Sequence, residues 1–242
     1  MGLPLFLVAQ LPDEEHFRLD GPEGHHAAVV QRLREGEHLL VSDGSGGLAE
    51  CVVVRVGKGE LDLRIESRRQ EPAPQPSLTV VQALAKGDRG ELAVQMMTEV
   101  GVDQVVPWSA ARSITQWRGE RGERALERWR STAREATKQS RRSWLPTITP
   151  METTAQIGRR LATAAAAYLL HEEATERLSQ VAVPIAGEIV VVVGPEGGIA
   201  PEELALLEEA GGRPVRLGPT VLRTSTAGAA ALAVLSARLG RW

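Results

Sequence analysis

The 242-residue chain is 43% apolar and 24% charged, which is typical of a globular protein and excludes an intrinsically disordered one. No apolar run reaches the roughly 18 residues that cross a membrane, and residues 1–17 lack the features of a signal peptide, so we expect a cytoplasmic protein without membrane attachment. The single cysteine, Cys51, excludes an intramolecular disulfide and a cysteine-based metal site, and its apolar surroundings predict a buried position.

The formal net charge of -3 conceals an uneven distribution along the chain. Residues 1–71 carry 8 basic and 13 acidic side chains, whereas residues 112–142 carry 10 basic and 4 acidic ones. A local concentration of positive charge is what a surface for a polyanion requires. We therefore expect the basic segment to contribute to a nucleic-acid-binding surface.

The first domain, residues 1–71, is predicted to fold as a small β-barrel with one helix. Short apolar or alternating segments are separated by glycine-rich turns, and an amphipathic helix is expected around residues 25–34. Three prolines within residues 72–77 exclude a continuing strand or helix, so this segment is predicted to be an extended linker. The predicted strands are 4–9, 37–43, 48–56 and 60–67.

The second domain, residues 78–242, alternates between predicted strands and helices, which indicates an α/β fold with a mainly parallel sheet. In such sheets, ligands bind at the carboxyl ends of the strands. The longest helix has an apolar stripe that includes Trp129, and Pro146 is predicted to end it. Strands are predicted at 78–85, 103–108, 164–172, 188–193 and 213–218, and helices at 90–102, 122–144, 152–163, 201–210 and 225–239.

The most informative segment is a buried strand that is followed at once by Gly194, Pro195, Glu196, Gly197 and Gly198. Its β-branched run is typical of a strand buried on both faces, and glycines allow a ligand to approach the backbone. The segment matches neither a Walker phosphate loop nor a dinucleotide-binding glycine motif. An acidic side chain in this loop suits a cationic or hydroxyl-bearing ligand such as S-adenosylmethionine. A simple tight turn between strand and helix is the alternative.

A second loop with glycine and proline follows the strand that ends at Gly218. We expect this loop at the same edge of the sheet as the first, because the two loops follow strands that are predicted to be neighbours. Thr224, Ser225 and Thr226 are candidate caps for the next helix. Arg223 is expected to face an anion or a substrate, and exposure to solvent alone is the alternative.

Histidine and tryptophan side chains give weaker indications. His25 and His26 are adjacent, and no third ligand follows at the spacing of a metal site, so helix capping or RNA contact is favoured over metal binding. His171, at the end of a strand, either lines the ligand pocket or packs in the core. Four tryptophans could stack on bases, although Trp129 belongs to the apolar stripe. The four are Trp108, Trp117, Trp129 and Trp144.

The chain resembles the RsmE family of 16S rRNA (uracil N-3) methyltransferases, within the knotted SPOUT superfamily. The resemblance rests on the paired segments VVVGPEGGIAPEEL and LGPTVLRTSTAGAAAL. It also rests on KGDRGELAVQMMTEVGVDQVVPW, on REATKQSRRSWLPTI and on the N-terminal HHAAVVQRLREGE. The chain departs from the family's usual QKATELG at Met96, where a lysine is frequent.

This resemblance implies a trefoil knot in the second domain, a PUA-like first domain that helps to hold RNA, and a homodimer with an active site completed across its interface. It further implies S-adenosylmethionine as the methyl donor and 16S rRNA, within the small ribosomal subunit, as the substrate, with no metal. The implied cofactor contacts are Leu170, Gly194, Pro195, Glu196, Gly197, Leu217, Gly218, Leu222, Arg223, Thr226 and Ala227.

Methylation at ring nitrogen 3 of uridine requires in-line attack on the methyl group and loss of a proton. We expect Arg142 to stabilise the uracil anion or to bind a phosphate. Glu135 is a candidate orienting group, and the proton is accepted by Glu135, by Glu196 or by no side chain. Arg223 completes the catalytic set. The predicted RNA contacts are Lys86, Arg89, Arg112, Lys138, Arg141 and Arg142.

The long helix is predicted to carry a row of basic residues at every fourth position. The row consists of Arg130, Arg134, Lys138 and Arg142. For residues 121–130 a solvated face with pairs such as Glu120 with Arg124 is the favoured interpretation.

Two other functions stay open. A tRNA 2'-O-ribose methyltransferase of the same superfamily would share both loops, but not the REATKQSRR segment or the N-terminal barrel. A non-catalytic RNA-binding assembly factor would share the basic helix and the barrel, but it would not need two glycine-bounded loops and Arg223.

Overall fold

The structure, a computed structural model, describes residues 2–242, which divide into two compact units. The first unit comprises the chain up to Ala73 together with residues 137–145, and the second comprises residues 74–136 and 146–242. The inclusion of residues 137–145 in the N-terminal unit differs from the predicted boundary, which placed them in the second domain. No helix within residues 2–242 is both long enough and apolar enough to span a membrane.

The first unit contains five strands, which are β1 (Leu5–Leu7), β2 (His16–Leu19), β3 (His38–Ser42), β4 (Gly47–Val56) and β5 (Leu61–Gln70). They form one sheet in the order β1-β3-β4-β5-β2, in which only the β1–β3 pair is parallel. Alternate residues such as Leu39, Val41 and Leu63 are buried in one core with Phe6. Strand β2 was not predicted, because its sequence HFRL contributes only one buried residue.

The helix predicted at residues 25–34 begins earlier and ends sooner. It forms as α1 (Gly21–His25) and continues as a π-helical turn, His26–Val30. Neither histidine side chain caps a helix end, so the predicted capping role is wrong. The physical reason is position: His25 lies in the last turn of α1 rather than at its start.

Cys51 lies in β4 and is fully buried, as predicted. Burial raises the pKa of its thiol to about 12, because the thiolate would lose its hydration, and the positive charge of Arg68 only partly opposes this rise. The thiol therefore stays protonated at neutral pH and serves as a small apolar group of the core.

The second unit contains six strands, which are β6 (Ser77–Ala83), β7 (Gln104–Trp108), β8 (Thr147–Ile148), β9 (Ala166–Leu170), β10 (Glu188–Val193) and β11 (Arg213–Val215). Their order is β11-β9-β10-β6-β7-β8, and every pair is parallel. The predicted α/β fold with a parallel sheet is therefore confirmed. However, β9 separates β10 from β11, so the expectation that these two strands are neighbours is wrong.

The helices of this unit are α2 (Arg89–Val100), α4 (Thr154–Leu161), α5 (Pro201–Glu209) and α6 (Thr224–Arg238), together with α3 (Gly119–Ser140) as far as residue 136. Residues 137–140 of α3 belong to the first unit. The predicted burial of β10 on both faces is confirmed. Val191 belongs to the core that includes Met97 of α2, whereas Val192 belongs to the core that includes Leu207 of α5. Because helices cover both faces, ligands can reach this sheet only at its ends.

Helix α3 does not continue towards Pro146 as predicted. Its last turn is a Schellman motif, in which the Arg141 N–H donates to the Lys138 carbonyl at 3.2 Å. In the same motif, the Arg142 N–H donates to the Thr137 carbonyl at 3.1 Å. Arg141 holds the left-handed φ of 55° that glycine usually adopts at this position. Arg142 therefore lies outside the helix, and the predicted basic row ends at Lys138.

Candidate functional site

Two loops of the second unit line one cleft at the carboxyl edge of the sheet. The first loop comprises residues 194–200, between β10 and α5, and the second loop comprises residues 216–223, between β11 and α6. Leu170, at the end of β9, lines the same cleft because β9 lies between the two strands that lead into the loops. The cleft has a volume of about 860 Å³, which falls within the range of small-molecule sites.

Nearly all residues that the sequence predicted as cofactor contacts meet in this cleft. Thr226 is the exception, and its hydroxyl instead donates to the Arg223 carbonyl at 3.1 Å. His171 also lines the cleft, which favours the predicted place in the ligand pocket over packing in the core. The predicted contacts found there are Leu170, Gly194, Pro195, Glu196, Gly197, Leu217, Gly218, Leu222, Arg223 and Ala227.

The glycines of the two loops serve different purposes. A Cβ at Gly194 would lie 2.8 Å from Cγ1 of Ile199, so this glycine is required by the packing of the first loop itself. Gly198 has a φ of 74°, which closes the loop by a hydrogen bond from its N–H to the Pro195 carbonyl. A Cβ at Gly218 would meet nothing within 4 Å, so open space for a ligand lies over the second loop.

Glu196 is anchored to the start of helix α2. Its Oε1 accepts a hydrogen bond from the Lys86 N–H at 3.1 Å and lies 3.6 Å from Nη1 of Arg89. Arg89 lines the cleft as well, and the Lys86 side chain is exposed. The carboxylate thus fixes the first loop against residues 86–89 while its charge stays at the wall of the cleft.

Arg112 also supports the first loop. Its Nη1 donates to the Gly197 carbonyl at 3.1 Å. The segment that carries it is itself tied down, because the Ala111 N–H donates to Glu203 of α5 at 3.0 Å and the Thr115 hydroxyl donates to the Ala85 carbonyl at 2.8 Å. An RNA contact predicted from charge alone is therefore, in this structure, a support for the loop.

The charges of the cleft are mixed. Arg216 and Arg223 line it, and neither forms an ion pair within residues 2–242. Glu172 and Glu173 add carboxylates, and the leucines of the cleft add apolar wall. Such a cleft can accept a ligand that carries cationic, anionic and apolar parts.

The start of α6 differs from the prediction. Arg223, rather than Thr224, Ser225 or Thr226, is the N-cap residue, and it makes no side-chain capping bond. The predicted caps are wrong because the helix begins at Thr224, one residue before the predicted start at Ser225. All three candidate residues therefore lie inside the helix. The Thr224 hydroxyl instead donates to the Gly194 carbonyl at 2.8 Å.

Comparison with known proteins identifies the family. Residues 71–236 match a family described as an RNA methyltransferase domain, and residues 19–66 match an RNA methyltransferase PUA domain. The ribosomal RNA small subunit methyltransferase E of Mycobacterium bovis is 48% identical over 98% of this chain and 93% of that protein. This chain belongs to the ribosomal RNA small subunit methyltransferase E family. The protein of the same name from Bacillus subtilis supports this assignment. It is 29% identical over 94% of this chain and 92% of the Bacillus protein.

Solved structures agree with this family. The ribosomal RNA small subunit methyltransferase E of Neisseria gonorrhoeae, bound to S-adenosyl methionine, has a TM-score of 0.86 and 26% identity over 98% of both chains. A Legionella pneumophila protein in complex with the same cofactor has a TM-score of 0.87 and 27% identity, again over 98% of both chains. The predicted family, the α/β class and the PUA-like first domain are thus confirmed.

Other predicted residues of the family site lie in the first unit. Lys138 is 6% exposed, and its Nζ lies 3.3 Å from Glu23 and 3.4 Å from Nδ1 of His26. Its burial argues against the predicted RNA contact, because a buried, paired ammonium cannot reach a phosphate. Arg141 is exposed and donates to the Gly2 carbonyl at 2.9 Å, and Arg142 is half-buried. The roles of these two arginines stay predictions.

Glu135 belongs to the second unit, on an exposed position of α3. Its predicted catalytic role is not tested by any contact of the cleft. The predicted pair of Glu120 with Arg124 is confirmed, because Nη2 of Arg124 lies 3.5 Å from Oε2 of Glu120. That residues 121–130 form only a solvated face stays a prediction. Met96, at the position of the frequent lysine, packs against the core of the second unit.

The tryptophans are mostly structural. Trp108 is fully buried and donates from Nε1 to the Thr154 hydroxyl at 3.1 Å. Trp129 is 2% exposed and meets Trp117 edge to face, with the ring centroids 5.0 Å apart. Base stacking by Trp108 and Trp129 is therefore excluded by burial.

Within residues 2–242 no three side chains of histidine, cysteine, aspartate or glutamate form a group that could hold a metal ion.

Replacing Arg112 with methionine should loosen the first loop, because methionine fills the space but cannot donate to the Gly197 carbonyl. We expect the amides of residues 194–198 to exchange hydrogen about fivefold faster, which corresponds to the loss of one ordinary hydrogen bond. Exchange is measured by mass spectrometry against Arg118→Met, in which an exposed arginine outside the cleft is lost. Equal exchange in the two variants would show that Arg112 does not hold the loop.

Proposed function

We propose that this chain transfers the methyl group of S-adenosylmethionine to ring nitrogen 3 of a uridine in 16S rRNA of the small ribosomal subunit. The observation that carries the proposal is the convergence of the first and second loops on one cleft, in a chain of the ribosomal RNA small subunit methyltransferase E family. The two similar structures that contain this cofactor support the choice of methyl donor. The substrate would place this activity in the cytoplasm.

The residues of the cleft fit S-adenosylmethionine chemically. Carboxylates of Glu172, Glu173 and Glu196 suit its ammonium and sulfonium groups, whereas Arg223 suits a carboxylate. The leucines suit a purine ring, and the space over Gly218 allows close approach to the backbone. When bound, the cofactor supplies an electrophilic methyl group. The residues proposed to hold it are the ten predicted contacts that line the cleft.

The uridine side of the site is proposed from charge and chemistry. Ring nitrogen 3 bears a proton, so the chain must stabilise the uracil anion and accept that proton. We assign anion stabilisation to Arg142. We assign acceptance of the proton to Glu135, which lies on an exposed position of α3. Arg223, which has no ion pair within residues 2–242, would bind the cofactor or the nucleotide from the cleft.

We also propose the trefoil knot and the homodimer that the family resemblance implies. The path of α6 supports the knot, because the chain leaves the edge strand β11 and then packs against the central strands β10 and β6. Thr224, the first residue of α6, is also hydrogen-bonded to the first loop. A dimer would complete each active site with residues of the other subunit.

The proposal is tested by mapping the product. Small subunits and naked 16S rRNA from a strain without this enzyme are incubated with the protein and labelled S-adenosylmethionine. We expect one methyl group per substrate, recovered after nuclease digestion as 3-methyluridine by mass spectrometry. A methylated ribose would show that the chain is a 2'-O-ribose methyltransferase instead. Absence of methyl transfer to either substrate would refute the enzymatic function.

Replacing Arg142 with alanine should lower kcat about 100-fold at saturating cofactor, which is the usual cost of removing one stabiliser of a developing anion. The affinity for S-adenosylmethionine should not change, since Arg142 is not among the residues that line the cleft. The matched control is Arg121→Ala, which removes an exposed arginine of α3. An unchanged kcat for Arg142→Ala would remove this residue from the active site.

A further inference from the structure

A buried hydrogen-bonded group joins three elements beside the cleft. Thr224, the first residue of α6, is 6% exposed, and its hydroxyl donates to the Gly194 carbonyl at 2.8 Å. The same hydroxyl accepts a hydrogen bond from Nε2 of Gln82 at 3.0 Å. Gln82 is fully buried in β6 and also donates to the Ala83 carbonyl at 3.1 Å. One hydroxyl thus connects β6, the first loop and the end of the second loop.

The sheet places these groups at the same level. Gln82 pairs in register with Val193 of β10, so its side chain starts directly beside the residue that precedes the first loop. Thr224 follows the second loop immediately. Within residues 2–242 the bond from Thr224 to Gly194 is the one hydrogen bond between the first loop and residues 216–227. The spacing of the two loops therefore depends on this hydroxyl more than on any other polar contact.

The amide of Gln82 is not explained by stability alone. Its Oε1 is buried without a hydrogen-bond partner, which costs free energy that an apolar residue would avoid. Nε2 faces the Ala83 carbonyl and the Thr224 hydroxyl, because only the amino group can donate to a carbonyl. The bond from Nε2 fixes the orientation of the hydroxyl, so that its proton points to Gly194. The donor is the part of this amide that serves the site.

We propose that Thr224 and Gln82 are positioning residues for the methyl donor. They hold the Gly194 carbonyl and thereby set the distance between the two loops, without taking part in the transfer itself. The inference rests on the proposed function, because the ligand between the loops is taken to be S-adenosylmethionine. The inference assigns a specific role to two buried polar residues. From the sequence, Thr224 was predicted to be a helix cap and Gln82 an ordinary strand residue.

The test is the isosteric change Thr224→Val, with Thr224→Ser as the rescue. Calorimetric titration with S-adenosylmethionine should give a Kd about tenfold higher for the valine variant, which matches the loss of one or two net hydrogen bonds. The serine variant should return to within about twofold of the wild type, because it keeps the hydroxyl. At saturating donor, kcat should change much less than KM, which a general loss of folding would not produce.

The control is Thr98→Val in α2, a fully buried threonine whose hydroxyl donates to the Val94 carbonyl at 2.7 Å, away from the cleft. We expect it to lose stability comparably but to keep its affinity for the donor. Gln82→Met provides a second, independent variant, in case the valine variant does not fold. It should raise Kd by itself and add little in the Thr224→Val background, since both changes act on one bonded group.

The outcomes separate this inference from the function on which it rests. If the wild type binds no S-adenosylmethionine, the proposed function fails. If the wild type binds and both Thr224→Val and Gln82→Met bind equally well, the function stands and the positioning role is refuted. A serine variant as weak as the valine variant, or effects on Kd that multiply in the double variant, would also overturn the role of the shared hydroxyl.

Discussion

The site depends on the parallel pairing of β11, β9, β10 and β6. Parallel strands need a crossover after each strand, so every one of these strands ends at the same edge of the sheet. Residues that are far apart in the chain, such as Leu170, Gly194 and Leu217, meet there for this reason alone. The strands and the helices on both faces supply the buried apolar surface that stabilises the fold. The loops contribute little to this core, so their residues can serve ligand binding.

The first loop is held by three contacts within the protein. Lys86 meets Glu196, Arg112 meets the Gly197 carbonyl and Thr224 meets the Gly194 carbonyl, and each contact comes from a different segment of the second unit. Loops ordered in advance lose less conformational entropy on binding, which favours affinity for a small cofactor. Charged residues at such a cleft thus serve structure as well as ligand recognition.

Hydrophobic periodicity predicted most strands and helices, and the glycines after β10 and β11 predicted the cleft, because these patterns encode burial and backbone conformation directly. The sequence could not give the partners of charged residues. A basic side chain that binds RNA and one that pairs within the protein look the same in the sequence. Only the tertiary structure shows that Arg112 bonds to Gly197 and that Lys138 pairs with Glu23. The end of α3 at Arg141 was also hidden, since no glycine marks its left-handed turn.

The central claim is that the first and second loops together grip the methyl donor. A crystal structure of the protein with S-adenosylmethionine tests it most directly. Electron density for the donor should lie between residues 194–198 and residues 217–227, with its ring against the leucines of the cleft. Density at another place on the chain, or a cleft that remains empty while calorimetry shows binding, would contradict the claim.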